Sequence, residues 1–138
     1  AKIMRLIGVD EMHVGTAIGK LVGTRKEVIE IADMLRSPNV KSITMLEQEW
    51  GRIKPVLPVS SGGLHPGLVP TVMNILGNDC TLLVSGGIHG HPQGTRAGAC
   101  ATMQAIEATM DNIDLKEYAK DHKELEQALD KWEYFKPR

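Results

Sequence analysis

The chain has 138 residues, 42% hydrophobic and 24% charged, with a formal net charge of −1. That is one domain's worth of sequence, and folding at this size buries roughly two-thirds of the unfolded surface. The near-neutral balance argues against a nucleic acid or an anionic membrane as partner, so an anionic ligand must be held by local groups.

Ala1-Lys2-Ile3-Met4-Arg5-Leu6-Ile7 is not a signal peptide: Arg5 interrupts the apolar stretch and no small-residue cleavage site follows. It reads as the end of an amphipathic helix stopped by Gly8, and the chain is expected to begin inside something larger. Val9 to Val14 reads as a short strand and Gly15 to Gly23 as a glycine-rich loop. Thr24-Arg25-Lys26-Glu27 is a capping box, with Val28, Ile31, Ala32 and Leu35 following at helical spacing until Pro38. Within Asn39 to Lys54, Ile43, Met45 and Leu46 look extended, and Trp50-Gly51 marks a turn or a short added element.

Val56 to Val59 is the second strand, followed by Ser60-Ser61-Gly62-Gly63 and Leu64-His65-Pro66-Gly67. A helix from Leu68 to Leu76 is closed by Gly77. Thr81 to Val84 is the third strand, then comes the loop Ser85-Gly86-Gly87-Ile88-His89-Gly90-His91-Pro92. A long helix from Thr95 to Met110 carries Ala97, Ala99, Ala101, Ala105 and Ala108 as packing residues, and Leu115 to Trp132 is a charged amphipathic helical tail. The apolar runs are far too short to span a bilayer. Cys80 and Cys100 lack metal or redox spacing and read as free thiols of a cytoplasmic protein.

Strands thus alternate with helices, which predicts a parallel α/β fold with glycine directly after each strand. In such folds ligands sit at the carboxyl ends of strands. Successive N–H groups of Ser61-Gly62-Gly63 and Ser85-Gly86-Gly87 could cradle a phosphate; the plainer alternative is that the glycines only make tight turns. His13 could donate to a phosphate, act as acid or base, or be structural. Lys20, between Gly19 and Leu21, could swing over a site or simply be solvated; Leu21 stands where a Walker A loop needs Ser or Thr. His89 and His91 form H-x-H without a third ligand at usable spacing, so a turn-shaping role for His91-Pro92 is expected rather than zinc.

These segments resemble a known family. Met12-His13-Val14-Gly15-Thr16-Ala17-Ile18-Gly19-Lys20-Leu21 is similar to the strand-six and loop-six segment of ribulose-1,5-bisphosphate carboxylase/oxygenase (RuBisCO) large subunits. Leu57-Pro58-Val59-Ser60-Ser61-Gly62-Gly63-Leu64-His65 resembles their strand seven, and Ser85-Gly86-Gly87-Ile88-His89-Gly90-His91-Pro92 their strand-eight G-G-G-x-x-G-H-P. The Gly62-to-Gly67 run and Glu49-Trp50-Gly51 resemble the archaeal, form III branch.

The resemblance implies the last three βα units of a (β/α)8 TIM barrel (residues 1–110) plus a C-terminal helical tail (111–138). It implies that His13 and Ser61 contact substrate around one phosphate and the adjoining hydroxyls, and that Gly62, Gly63, Gly86 and Gly87 line the cradles, chiefly for the other. Lys20 would reach the carboxylate formed from CO2 when its loop closes. Ser85 stands where the family usually has the first of three glycines, though its backbone N–H can still serve; Leu83 stands where many members have glutamine.

The family's Mg2+ site, a carbamylated lysine and two acidic residues, and an arginine for one phosphate come from earlier strands that nothing in this chain matches. The implied partners are ribulose-1,5-bisphosphate, CO2, the remainder of the large subunit or a complementary chain, and a second copy in a homo-oligomer. The chain alone is expected to be inactive. Two other readings stand beside this one: a RuBisCO-like sugar-phosphate enolase or isomerase, and a non-catalytic phosphate-binding or assembly fragment.

Overall fold

Three parallel strands in the order β1-β4-β5 organise the structure, a computed structural model that describes residues 1–16, 18, 24–41 and 46–133. They are β1 (Glu11–His13), β4 (Leu57–Ser61) and β5 (Thr81–Leu83). Register pairs Glu11 with Leu57 and His13 with Val59, then Val59 with Thr81 and Ser61 with Leu83. Thr81 Oγ1 donates to Glu11 Oε1 at 2.9 Å, reaching across the central strand. Side chains of alternate strands meet in this way where a sheet curves into a barrel.

The first strand is shorter than the expected Val9 to Val14, although Val14 N–H still donates to Val59 O at 3.0 Å. A short helix α1 (Lys2–Leu6) precedes it, and Gly8 turns the chain with φ +78°. The capping box starts α2 (Arg25–Arg36): Glu27 N–H donates to Thr24 Oγ1 at 3.2 Å, and Thr24 N–H to Glu27 Oε2 at 2.7 Å. Pro38 then forces Ser37 into an extended conformation, with ψ 139°, and the helix stops.

The ambiguous stretch forms an antiparallel pair, β2 (Asn39–Val40) with β3 (Gln48–Glu49). Leu46 is exposed there, while Ile43 and Met45 lie outside the described residues. Trp50 is buried beneath this pair beside Met34 and Val40, and Gly51 makes the turn with φ +56°. The Arg5 side chain, 2% exposed, donates to the carbonyls of Met34, Ser37, Ile53 and Lys54 and lies 4.5 Å over the Trp50 ring.

A 3₁₀ turn at Pro66–Leu68 leads into α3 (Val69–Leu76), whose end Gly77 caps at φ +77°. One core layer joins α2 and α3 through Val28, Ala32, Leu35, Leu68, Val72 and Leu76. The opposite side of α3, Val69 and Met73, packs against Ala105 and Ala108 of α5 (Thr95–Met110). Within α5, Gly98, Ala101, Ala105 and Ala108 are buried as small packing residues, whereas Ala99 faces solvent. The helical tail comprises α6 (Leu115–Tyr118) and α7 (Lys123–Trp132), with a 3₁₀ turn between them. Leu115, Leu125 and Leu129 complete the second layer. Among the described residues no helix is long and apolar enough to cross a membrane.

Candidate functional site

Because all three strands are parallel, their carboxyl ends, His13, Ser61 and Leu83, fall on one edge of the sheet. The glycine-rich segments that follow them start from that same edge. His13 Nδ1 and Ser61 Oγ are 2.9 Å apart, so the fold brings together two residues that are 48 positions apart in sequence. Both are open enough to meet a ligand.

Beside this pair lies a cleft of about 430 Å³ lined by Gly62, Gly63, Leu64, His65, Leu83, Ser85, Gly86, Gly87 and Trp132. Gly62 and Gly63 hold φ values of +111° and +68°, a left-handed path that L residues rarely adopt. On the other side, Ser85-Gly86-Gly87 does not form a plain loop. Gly86–His89 makes one helical turn, α4, whose first N–H groups have no intrahelical acceptor. Ser85 precedes it with φ −118°, a value open to a side chain, and its Oγ does not cap the turn.

Gly87 and Gly86 differ in what surrounds them. A Cβ on Gly87 would stand 2.6 Å from His65 Cα, so glycine lets the β5 segment close onto the β4 segment. A Cβ on Gly86 would meet no protein atom within 4 Å. Glycine backbone on two sides of an open cleft, without a carboxylate among the lining residues, suits an anion.

His65 and Trp132 were not anticipated as site residues. Their rings stack at 6.0 Å and 20°. Burial pushes the His65 imidazole below the ordinary histidine range, and its Nδ1 has no partner among the described residues. A bare histidine after the glycines was the only available signal; Trp132 lies 67 residues further on (132 − 65) and gave none.

Lys20 lies outside the described residues. The H-x-H pair does not converge: His89 Nδ1 is 3.2 Å from Thr95 Oγ1, whereas His91 is buried and bonds the Glu124 carbonyl through Nε2 at 2.9 Å. His91 Nδ1 also accepts from Gln93 N–H at 3.0 Å, which shapes the turn into α5. Among the described residues no three His, Cys, Asp or Glu side chains gather as metal ligands, and Cys80 and Cys100 are free thiols.

Fold and site define a parallel α/β protein with a glycine-lined cleft at the carboxyl edge of its sheet. A family model described as ribulose bisphosphate carboxylase large chain, catalytic domain, matches residues 1–132, and the chain belongs to this family. A ribulose bisphosphate carboxylase of Methanosarcina barkeri is 47% identical over 135 residues, covering 96% of this chain and 32% of the relative. The crystal structure of an archaeal RuBisCO superposes with a TM-score of 0.89 at 48% identity, over 99% of this chain and 32% of that one. A dimeric archaeal RuBisCO from Hyperthermus butylicus gives 0.88 at 46% identity, over 97% and 32%. The chain therefore spans about a third of the length of the relatives it matches.

Proposed function

We propose that this chain is the C-terminal part, βα units six to eight, of the catalytic barrel of an archaeal-type ribulose-1,5-bisphosphate carboxylase. Its work is to hold the substrate's phosphates and to supply a lysine, Lys20, for CO2 fixation, which yields two molecules of 3-phosphoglycerate. The observation that carries this reading is the meeting of two glycine segments and the His13–Ser61 pair on one carboxyl edge. The similarity to archaeal carboxylases over nearly the whole chain supports it.

In this reading His13 and Ser61 bind one phosphate and the neighbouring hydroxyls as a hydrogen-bonded unit. Backbone N–H groups of Gly62, Gly63, Gly86 and Gly87, with that of Ser85, hold the other phosphate, each charge-assisted bond being worth about 1.5–3 kcal/mol. Lys20 stabilises the carboxylate as it forms; losing one preorganised group of this kind typically costs about 2.7–4 kcal/mol in the barrier. Mg2+, when bound, offsets negative charge on the reacting oxygens. Its ligands belong to strands outside this chain.

Three strands do not close a barrel, so the partner is the remaining barrel, in the same polypeptide or as a complementary chain, within a cytoplasmic homo-oligomer. The test is to supply those strands and give the assembled protein ribulose-1,5-bisphosphate, Mg2+ and labelled bicarbonate. Label in 3-phosphoglycerate is the expected product. Enolisation of the bisphosphate without fixation would overturn the reading.

A further inference from the structure

We propose that the end of α7, Lys131-Trp132-Glu133, is a positioning element for the phosphate cradle, acting chiefly through the Trp132–His65 stack. The proposal rests on the phosphate reading above. Three consecutive residues each touch a segment that follows one of the two glycine loops. The Trp132 ring stacks on His65, four residues beyond Ser61. A Cβ on Gly90 would lie 3.2 Å from Trp132 Cζ2, so the same ring is packed against the end of α4. Lys131 Nζ donates to the Gly90 carbonyl, at the C-terminal cap of α4. The Glu133 carbonyl lies so close to Gly67 that no side chain fits there.

The opposite end of α7 is fixed as well. His91 bonds the Glu124 carbonyl, and Gln104 on α5 both donates to Glu124 Oε2 at 3.0 Å and accepts from Leu125 N–H at 3.0 Å. The helix is thus a strut, anchored on α5 at its start and on both cradle segments at its end. Those segments meet one another directly where Gly87 passes His65. A phosphate gripped by N–H groups from two loops needs the loops at a fixed spacing, and donors already in place pay no ordering cost on binding. Trp132 also forms part of the cleft wall, which a residue filling only the core would not do. His65 stacks on Trp132, and its buried Nδ1 has no partner among the described residues.

The experiment uses the assembled protein, with the missing barrel strands present, and inorganic phosphate as the probe at constant ionic strength. Calorimetric phosphate affinity, the KM and kcat for the bisphosphate, and melting temperature are compared for Trp132→Phe, Trp132→Ala, Trp132→Leu, His65→Ala and Gly86→Asp. Loss of the stack in Trp132→Ala is expected to weaken phosphate and raise KM by about tenfold, with kcat within about twofold. Trp132→Phe, which keeps a ring, should stay within about twofold of the parent. His65→Ala should match Trp132→Ala, and the double variant should add little, as expected of one coupled unit. A lower melting temperature with unchanged phosphate affinity and KM would reduce α7 to a structural role and overturn the proposal. If Trp132→Ala does not fold, Trp132→Leu and His65→Ala decide by the same criteria. Gly86→Asp separates the two failures: it puts a carboxylate at the cradle where no protein atom would be displaced. If it too leaves phosphate affinity unchanged, the phosphate reading itself falls.

Discussion

Gly87 and His65 show how single residues set this site. With His65 Cα only 2.6 Å from where a Cβ would stand, Gly87→Ala forces two loops apart. It should cost about 1–3 kcal/mol, read as a lower denaturation midpoint, together with weaker phosphate binding. His65 adds a pH dependence whose sign follows from its depressed proton affinity. The unfolded chain, with an ordinary imidazole near pH 6.5, takes up a proton before the folded one does. The contribution of His65 to stability is therefore present above about pH 6.5 and is lost as acidification passes below that value. Melting temperatures of the assembled protein should drop less on acidification for His65→Gln than for the parent; equal slopes would rule out His65 as the cause. At this scale the sequence was informative where chemistry is local. Glycine after a strand and histidine or serine at a strand end are visible in a few consecutive letters. Trp132 was invisible because its partner His65 is distant in sequence and only tertiary packing brings the rings together.

Among the elements, α2 was the most legible, since the Thr24–Glu27 box and the Pro38 stop are both encoded within one turn of the helix ends. Thr24→Ala should destabilise by about 1 kcal/mol and fray the first turn, measurable by denaturant melts and amide exchange there. The α3 end at Gly77 and the full span of α5 were equally plain. The β2–β3 pair was not, because two-residue strands carry no periodicity. Nor was α4: glycine pairs read as loop, whereas the Gly86–His89 turn is packed against His65, Trp132 and Gly98 of α5, contacts that arise only in the folded chain. Arg5 appeared in sequence as an interruption of an apolar run, yet it clamps α1 to the end of α2 and to the chain after β3. Replacing it by methionine leaves the buried Met34 carbonyl and three part-buried carbonyls without this donor and should cost about 3 kcal/mol in the assembled protein. A loss near zero would show that these carbonyls find water instead.

At the scale of the whole molecule, the sheet ends in two strands, β1 and β5, each with one unpaired edge among the described strands. Ile3 and Leu6 on the first helix and Ile7 at its C-cap are 72%, 60% and 67% exposed, and Leu83 on β5 is 46% exposed. Open parallel edges and apolar faces of this kind pair with other chains. The isolated chain should therefore self-associate in sizing experiments, and the missing strands should suppress this; a well-behaved lone monomer would count against the barrel reading. Parallel topology and the shared carboxyl edge followed from the alternation of strands and helices. The need for the rest of the barrel came from counting strands and from the family resemblance. The division of labour between cradle and lysine is the central claim, and Lys20→Ala in the assembled protein tests it most directly. The account predicts unchanged affinity for the bisphosphate with fixation of labelled CO2 reduced by at least about 100-fold. Fixation at the parent rate, or loss of bisphosphate binding with the lysine, would contradict it.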